Sequence, residues 1–328
     1  MTSLSSWFEN LLFNGAGEEC SPEPGPDGKL ASQGKLRKKT VVTVIGSGGK
    51  TSLIWHLAAS LASPGPGADR EKPSPGRRSV LVTPTTKMQV PPESAKLYDR
   101  YFDGKNHKGS GIINPETVYP EPAPGVTLAG IYNESIRKLE SLPLEDLERI
   151  IPGYDLVLIE GDGSREHPLK AWSGDEPVVP DFTDLTIGVL PLWPLGKPVS
   201  RKIIHRLPLF LALTGTVPGE PLKFEHILKI ITGKESHYPE PAVPGLFAKA
   251  RGKKLLFFNQ VENEAALKHA QKTIDLLPVQ FVCSLSGIIA GSVRQNSLAF
   301  LTACSNTNGF PERKIFVAEN REQDREQD

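Results

Sequence analysis

The chain has 328 residues, 38% of them apolar, with 38 Lys and Arg balancing 38 Asp and Glu. That length supports one large domain or two modest ones. The charge balance removes any net field for nucleic acid or anionic lipid, and no apolar run is long enough to span a membrane. Cys20, Cys283 and Cys304 are few and far apart, which excludes a disulfide framework or a cysteine metal site and fits a reducing, cytoplasmic setting.

The first 39 residues read as a short amphipathic helix (Leu4, Trp7, Leu11, Leu12) able to dock on the body, followed by a Pro- and Gly-rich flexible linker. The start lacks the basic and apolar pattern of a secretory leader. Residues 40–45 form an apolar, β-branched run that predicts a buried strand, and residues 50–62 have helical spacing. The His56 imidazole lies on that helix's apolar stripe and is read as packed rather than ligating. Residues 63–76 are a Pro-rich loop, 79–83 a second strand, and 89–125 an irregular excursion. Apolar residues at 128, 131, 136 and 139 predict a helix over 127–142, with a shorter one in "LEDLERII". "YDLVLIEGDG" and "DLTIGVLP" are the third and fourth strands. Two helices closed by Gly follow in "IIHRLPLFLALTG" and "FEHILKIITG". "KKLLFFNQV" is a fifth strand, "ENEAALKHAQKTIDLL" a helix and "VQFVCS" a sixth strand, and residues 311–328 read as a charged disordered tail. Strands alternating with helices predict an α/β fold of three layers with a mostly parallel sheet, occupying residues 40–310.

Between the first strand and helix stands "GSGGKTS". Phosphate binding needs a tight backbone turn, convergent N–H groups at a helix start, a Lys for the β- and γ-phosphates, and a hydroxyl for Mg²⁺. Gly46, Ser47, Gly48 and Gly49 supply the turn and amides, Lys50 the cation, and Thr51 and Ser52 the hydroxyls. The usual first Gly of such a loop is replaced by Val44, so Gly46 must take over part of the turn. The alternative is a Gly-rich turn carrying an exposed Lys.

A nucleotide-hydrolysing α/β protein places acids at the end of a neighbouring parallel strand. Glu160 and Asp162 stand there, between freely turning glycines. One holds the metal shell, with Asp162 taken as the ligand beside Thr51, and the other polarises water; the spacing also permits the reverse. Thr83, Thr85, Thr86 and Lys87 close the second strand and add hydroxyls at the same edge. After the fifth strand, Asn259, Gln260 and Glu262 occupy the places of an Asn-Lys-x-Asp guanine clamp, so Asn259 would brace the site and Glu262 would read the base. ATP and GTP both stay open, because Glu262 serves equally well as a plain helix-start acid.

Taken in order, "VIGSGGKTSL", "VLVTPTTKM", "DLVLIEGDGSREHPLKAW", "DEPVVP", "LGKPVSRKIIHR" and "LLFFNQVE" resemble the YqeC family over residues 40 to 290 or so. The resemblance implies a P-loop nucleotide-binding (P-loop NTPase-like) protein. It also implies an accessory role in making or inserting a selenium-containing molybdenum cofactor, so the implied partners are a nucleotide and a molybdenum hydroxylase or molybdopterin-type cofactor. It maps the loop onto Gly46 to Thr51, the acidic strand end onto Glu160 and Asp162, a Pro-Leu-Lys step onto Lys170, and a His-Arg pair onto His205 and Arg206. Ser47 stands where the family usually has Ala or Gly, and the first 39 residues and the 63–76 linker are longer than typical. As chemistry, Lys170, His205 and Arg206 suit an anionic substrate, with His205 available for proton transfer near neutral pH. They equally suit a capped helix with a surface ion pair. A kinase or synthetase acting on a pterin-like or other anionic substrate is the competing function.

Overall fold

Thr40–Gly46 (β1) is a run of β-branched and apolar residues, and all seven are buried. A strand covered on both faces gives such an unbroken run rather than an alternation. The computed structural model describes residues 3–14, 39–62, 77–107, 120–233, 243–307 and 310–317. The Pro- and Gly-rich linker read within the first 39 residues and the loop read at 63–76 lie outside them. After β1 come Ser79–Pro84 (β2), Lys87–Gln89 (β3), Arg100–Asp103 (β4), Gly125–Asn133 (β5), Lys138–Glu140 (β6) and Leu156–Glu160 (β7). Leu169–Lys170 (β8), Leu185–Pro191 (β9), Ile204–His205 (β10), Lys253–Asn259 (β11), Gly287–Ser292 (β12), Ser297–Thr307 (β13) and Phe310–Val317 (β14) complete the strands. The helices are Leu4–Glu9 (α1), Lys50–Ala62 (α2), Leu144–Ile150 (α3), Leu207–Thr214 (α4), Phe224–Thr232 (α5), Glu264–Leu276 (α6) and Val279–Cys283 (α7).

Among the described residues one sheet runs β14-β13-β12-β11-β9-β1-β7-β2-β5-β6-β3, with β4 beside β5. It is parallel from β12 to β5 and antiparallel at both ends. Helices pack on both faces. Val42 and Val44 of β1 join α1 and α2 in one core, while Ile45 joins Trp172, Phe210, Ile227 and Ile274 in the other. This is the three-layer α/β architecture expected. Burying these β-branched and aromatic side chains is worth about 1.5–3 kcal/mol for each one. No helix among the described residues is long and apolar enough to cross a membrane.

The N-terminal helix docks as expected, though along a different stripe. Leu4, Phe8 and Leu12 are buried, four residues apart, while Leu11 faces out. His56 is a packing residue that accepts the docked helix, with Nε2 2.9 Å from Ser5 Oγ and 3.0 Å from Asn296 Oδ1.

Three expectations fail. Residues 127–142 form strands, not a helix: β5 and β6 join in a hairpin through Arg137 at φ 52°. Gly130 lies so close to Leu139 that an added Cβ would stand 2.4 Å from it. "VQFVC" is helix α7 rather than a strand, and the strand in that region is β12. The charged tail placed at 311–328 begins too early, because β14 pairs with β13 as far as Val317. Within the excursion read at 89–125, residues 100–103 form β4.

Candidate functional site

The loop between β1 and α2 turns at Gly46, the last residue of β1, where φ is +105° and an added Cβ would stand 2.2 Å from the Val189 carbonyl oxygen. Val44 stays within the strand, so Gly46 takes the turn that the missing first Gly would have made. At the other end Gly49 has φ +121°, and the amide nitrogen of Asn259 would lie 2.3 Å from a Cβ there. Asn259 braces the loop: its Nδ2 donates to Gly48 O at 3.0 Å, and its Oδ1 accepts from Val293 N at 3.1 Å.

β7 lies directly beside β1, with Glu160 in register with Val44. Both acids therefore reach the loop, but in different environments. Thr51 Oγ1 donates to Glu160 Oε2 at 2.9 Å. Burial raises the pKa of Glu160 and Asp162 adds to the rise, while Lys50, the Thr51 hydrogen bond and Lys138 oppose it. Asp162 is fully buried beneath the loop. It accepts from Gly46 N–H at 3.1 Å and 3.2 Å, from Trp172 Nε1 at 2.7 Å and from Lys170 Nζ at 3.0 Å, and it lies 3.4 Å from Lys50 Nζ. Burial alone would raise its pKa. Lys50, Lys170 and the hydrogen bonds from Trp172 and Lys170 outweigh it and hold the carboxyl below the usual range.

From Asp162 the charges continue as a chain. Lys170 Nζ, fully buried, donates also to Gly163 O at 2.7 Å and to Glu176 Oε2 at 2.9 Å. Arg206 donates to the same Glu176 oxygen at 2.9 Å. Lys50, Lys170 and Arg206 thus face Asp162 and Glu176, three cations to two carboxylates. Lys50 Nζ itself folds back to donate to Gly46 O at 2.8 Å.

Above the loop opens a cleft of about 870 Å³, within the range of small-molecule sites. Gly48, Gly49, Lys50, Thr51, Ser52 and Glu160 line one part of it, and Lys87, Lys138, Arg165, His167, Trp193 and Gln260 line others. The structure thus gathers the loop, Glu160 and Asp162, with Asn259 behind. Lys170 is brought in only from beneath, as the counter-charge of Asp162. Glu262 does not line the cleft; its carboxylate accepts from Ser292 at 2.8 Å and from Arg294. His205 and Arg206 do not line it either. Burial, with Lys170, Arg206, Arg165 and His167 around it, lowers the His205 pKa to about 4. The imidazole is therefore neutral near pH 7. Of the threonines closing β2, Thr85 Oγ1 donates to Val178 O at 2.6 Å, while Thr83 Oγ1 and Thr86 Oγ1, like Ser47 Oγ, are buried atoms without a hydrogen-bond partner among the described residues.

Trp172, Glu176, Lys138 and Trp193 were missed in the sequence. Trp172 carried a usable clue, lying two residues past Lys170 in the most distinctive segment.

Residues 42–208 match the family described as YqeC protein. The chain belongs to the YqeC family. A YqeC relative from Escherichia coli (strain K12), named "Uncharacterized protein YqeC", is 27% identical over 211 residues, covering 63% of this chain and 73% of that protein. No solved structure matches. The YqeC match contains the loop and the whole ion chain, whereas Asn259, Gln260 and Glu262 lie beyond it.

Proposed function

We propose that this YqeC-family chain binds and hydrolyses a nucleoside triphosphate with Mg²⁺, in the service of maturing or inserting a selenium-containing molybdenum cofactor. One observation carries the nucleotide reading: a glycine loop at a strand–helix junction, with a buried lysine behind it and a threonine–carboxylate pair at its helix end. The amides and the start of α2 favour an anion, and Lys50, now turned onto Gly46 O, would swing to the β- and γ-phosphates. The accessory role is the one the family resemblance implies.

The residues fit magnesium. Thr51 Oγ1 and Glu160 are hard oxygen donors already within hydrogen-bond distance, and Mg²⁺ commonly takes one or two protein oxygens and completes its shell with phosphates and water. Bound there, it would neutralise charge on the phosphate oxygens. Thr51 and Glu160 are the better candidates, because Asp162 is already engaged by Gly46, Trp172 and Lys170. On this reading Asp162 holds the loop's shape and Lys50 orients the phosphates.

The test is titration of wild type and Lys50→Ala with labelled ATP and GTP in Mg²⁺. Wild type is expected to bind, with the variant at least about tenfold weaker, as befits the loss of a charge-assisted contact. Equal affinities would sink the reading. For the accessory role, a strain lacking the protein should lose selenium-dependent molybdenum hydroxylase activity and regain it with wild type but not with Lys50→Ala.

One observation favours a second reading, phosphoryl transfer to an anionic small molecule. Lys87, Lys138 and Arg165 line the same cleft as Thr51 and Glu160. Phosphate appearing on an added acid rather than in water would select it.

A further inference from the structure

We propose that Trp193 and Gln260 form a base subsite at the end of the cleft away from the acids, and that its ligand is a purine. The inference rests on the nucleotide reading above and adds to it the half of the ligand that the loop does not touch.

The placement follows from the sheet. β9 and β11 are parallel neighbours, with Pro191 in register with Asn259. Both lie on the side of β1 opposite β7. The chain leaves their carboxyl ends side by side, placing Trp193 two residues past one and Gln260 one residue past the other. The loop packs against the same edge, since a Cβ on Gly48 would stand 2.3 Å from the Pro191 ring. A triphosphate with its last phosphate at Thr51 and Glu160 therefore extends away from β7, and its base arrives at Trp193 and Gln260.

The chemistry at that end differs from the rest of the cleft. Trp193 is 47% exposed, whereas Trp55 and Trp172 are buried. Its ring stacks on no other aromatic ring among the described residues. Gln260 holds a left-handed backbone, φ 64°, which is uncommon for a residue with a side chain. The backbone is held on both sides, by Asn259 bonded to Gly48 and Val293 and by Val261 N bonded to Gly291 O at 2.9 Å. An exposed indole and an amide carrying both donors and an acceptor suit a flat heterocycle. Purines cover more of an indole than pyrimidines do. The amide satisfies the edge of adenine or of guanine, and Glu262, which would have chosen guanine, is held by Ser292 and Arg294.

Calorimetry on the full chain with Mg²⁺ tests this, using ATP, GTP, CTP, UTP and inorganic triphosphate. Wild type should bind ATP and GTP within a few-fold of one another and the pyrimidine nucleotides more weakly. Trp193→Ala should weaken ATP and GTP by about tenfold or more, the size of a lost base–aromatic stack, and leave inorganic triphosphate unchanged. Trp193→Phe should restore most of the loss, and Gln260→Ala should cost less than Trp193→Ala. The proposal is overturned if Trp193→Ala changes ATP and inorganic triphosphate equally, or changes neither. If wild type binds neither ATP nor inorganic triphosphate, the loop reading itself has failed and takes the subsite with it.

Discussion

The floor of the glycine loop and the mouth of its cleft both hold lysines, but the two regions use them differently. Below the loop, Lys50 and Lys170 are buried and ion-paired to Asp162, with Glu176 and Arg206 continuing the chain. At the mouth, Lys87 is more than half exposed and pairs with Glu140 at the surface. A buried ammonium must be matched, because an unpaired charge in a low-dielectric interior is very costly. Lys170 is thereby committed to the floor, bound to both Asp162 and Glu176, whereas Lys87 at the mouth is held only by a surface pair. The same rule separates Glu160 from Asp162. Two residues apart, one has its pKa raised and faces the cleft, and the other has it lowered and faces the floor.

The most severe way to break this contrast is Asp162→Ala. It leaves Lys50, Lys170, the Trp172 N–H and the Gly46 N–H without their shared acceptor, and should cost about 3–5 kcal/mol in urea unfolding at neutral pH. Lys170→Met should cost roughly 3 kcal/mol, because Glu176 retains Arg206 while Asp162 retains Lys50. The double variant should fall well short of the sum, since the two residues share one interaction.

A smaller effect follows pH. Asp162 and Glu176 have lowered pKa values in the fold. They contribute fully above the ordinary carboxylate range, and the contribution is lost as pH falls from there through their depressed values. Urea midpoints should drop over that acid window, and Asp162→Ala should flatten the drop. Glu160 carries the opposite sign, because its raised pKa favours the protonated form. Magnesium-dependent nucleotide affinity should therefore climb as pH rises through that raised value, and Glu160→Gln should remove the climb.

The smallest effect belongs to the mouth. Lys87→Ala breaks only a surface pair and should change stability by less than about 1 kcal/mol, while weakening nucleotide or acceptor binding a few-fold. Destabilisation by Lys87→Ala equal to that of Lys170→Met would erase the distinction between the two regions.

Legibility in the sequence followed locality. Residues 40–62 were readable because strand, glycine turn and helix each carry a short-range pattern, and the acids were readable because they end a strand. The β5–β6 hairpin was not. A strand buried on both faces loses its alternation, and Leu128 and Ile131 of β5, Ile136 of the turn and Leu139 of β6 then fall by chance at helical spacing. At 279–283, β-branched and aromatic residues suggested a strand, yet only Val282 is buried there, in a short helix. Nor could spacing reveal that Trp172 donates to Asp162, or that Glu262 is held by Ser292 and Arg294, because those bonds join separate segments.

By itself, the sequence determined that a glycine-rich turn running into Lys-Thr-Ser follows the first core strand and that acids close another strand, since backbone freedom at glycine and apolar periodicity are local properties. Tertiary structure alone decided that this second strand is β1's immediate neighbour. It also decided that Asp162 is consumed beneath the loop while Glu160 stays with Thr51, and that Trp193 opens beside Gln260. The reason is electrostatic as much as geometric: a carboxylate's role depends on which charges and how much solvent surround it, and those are set by parts of the chain far away in sequence.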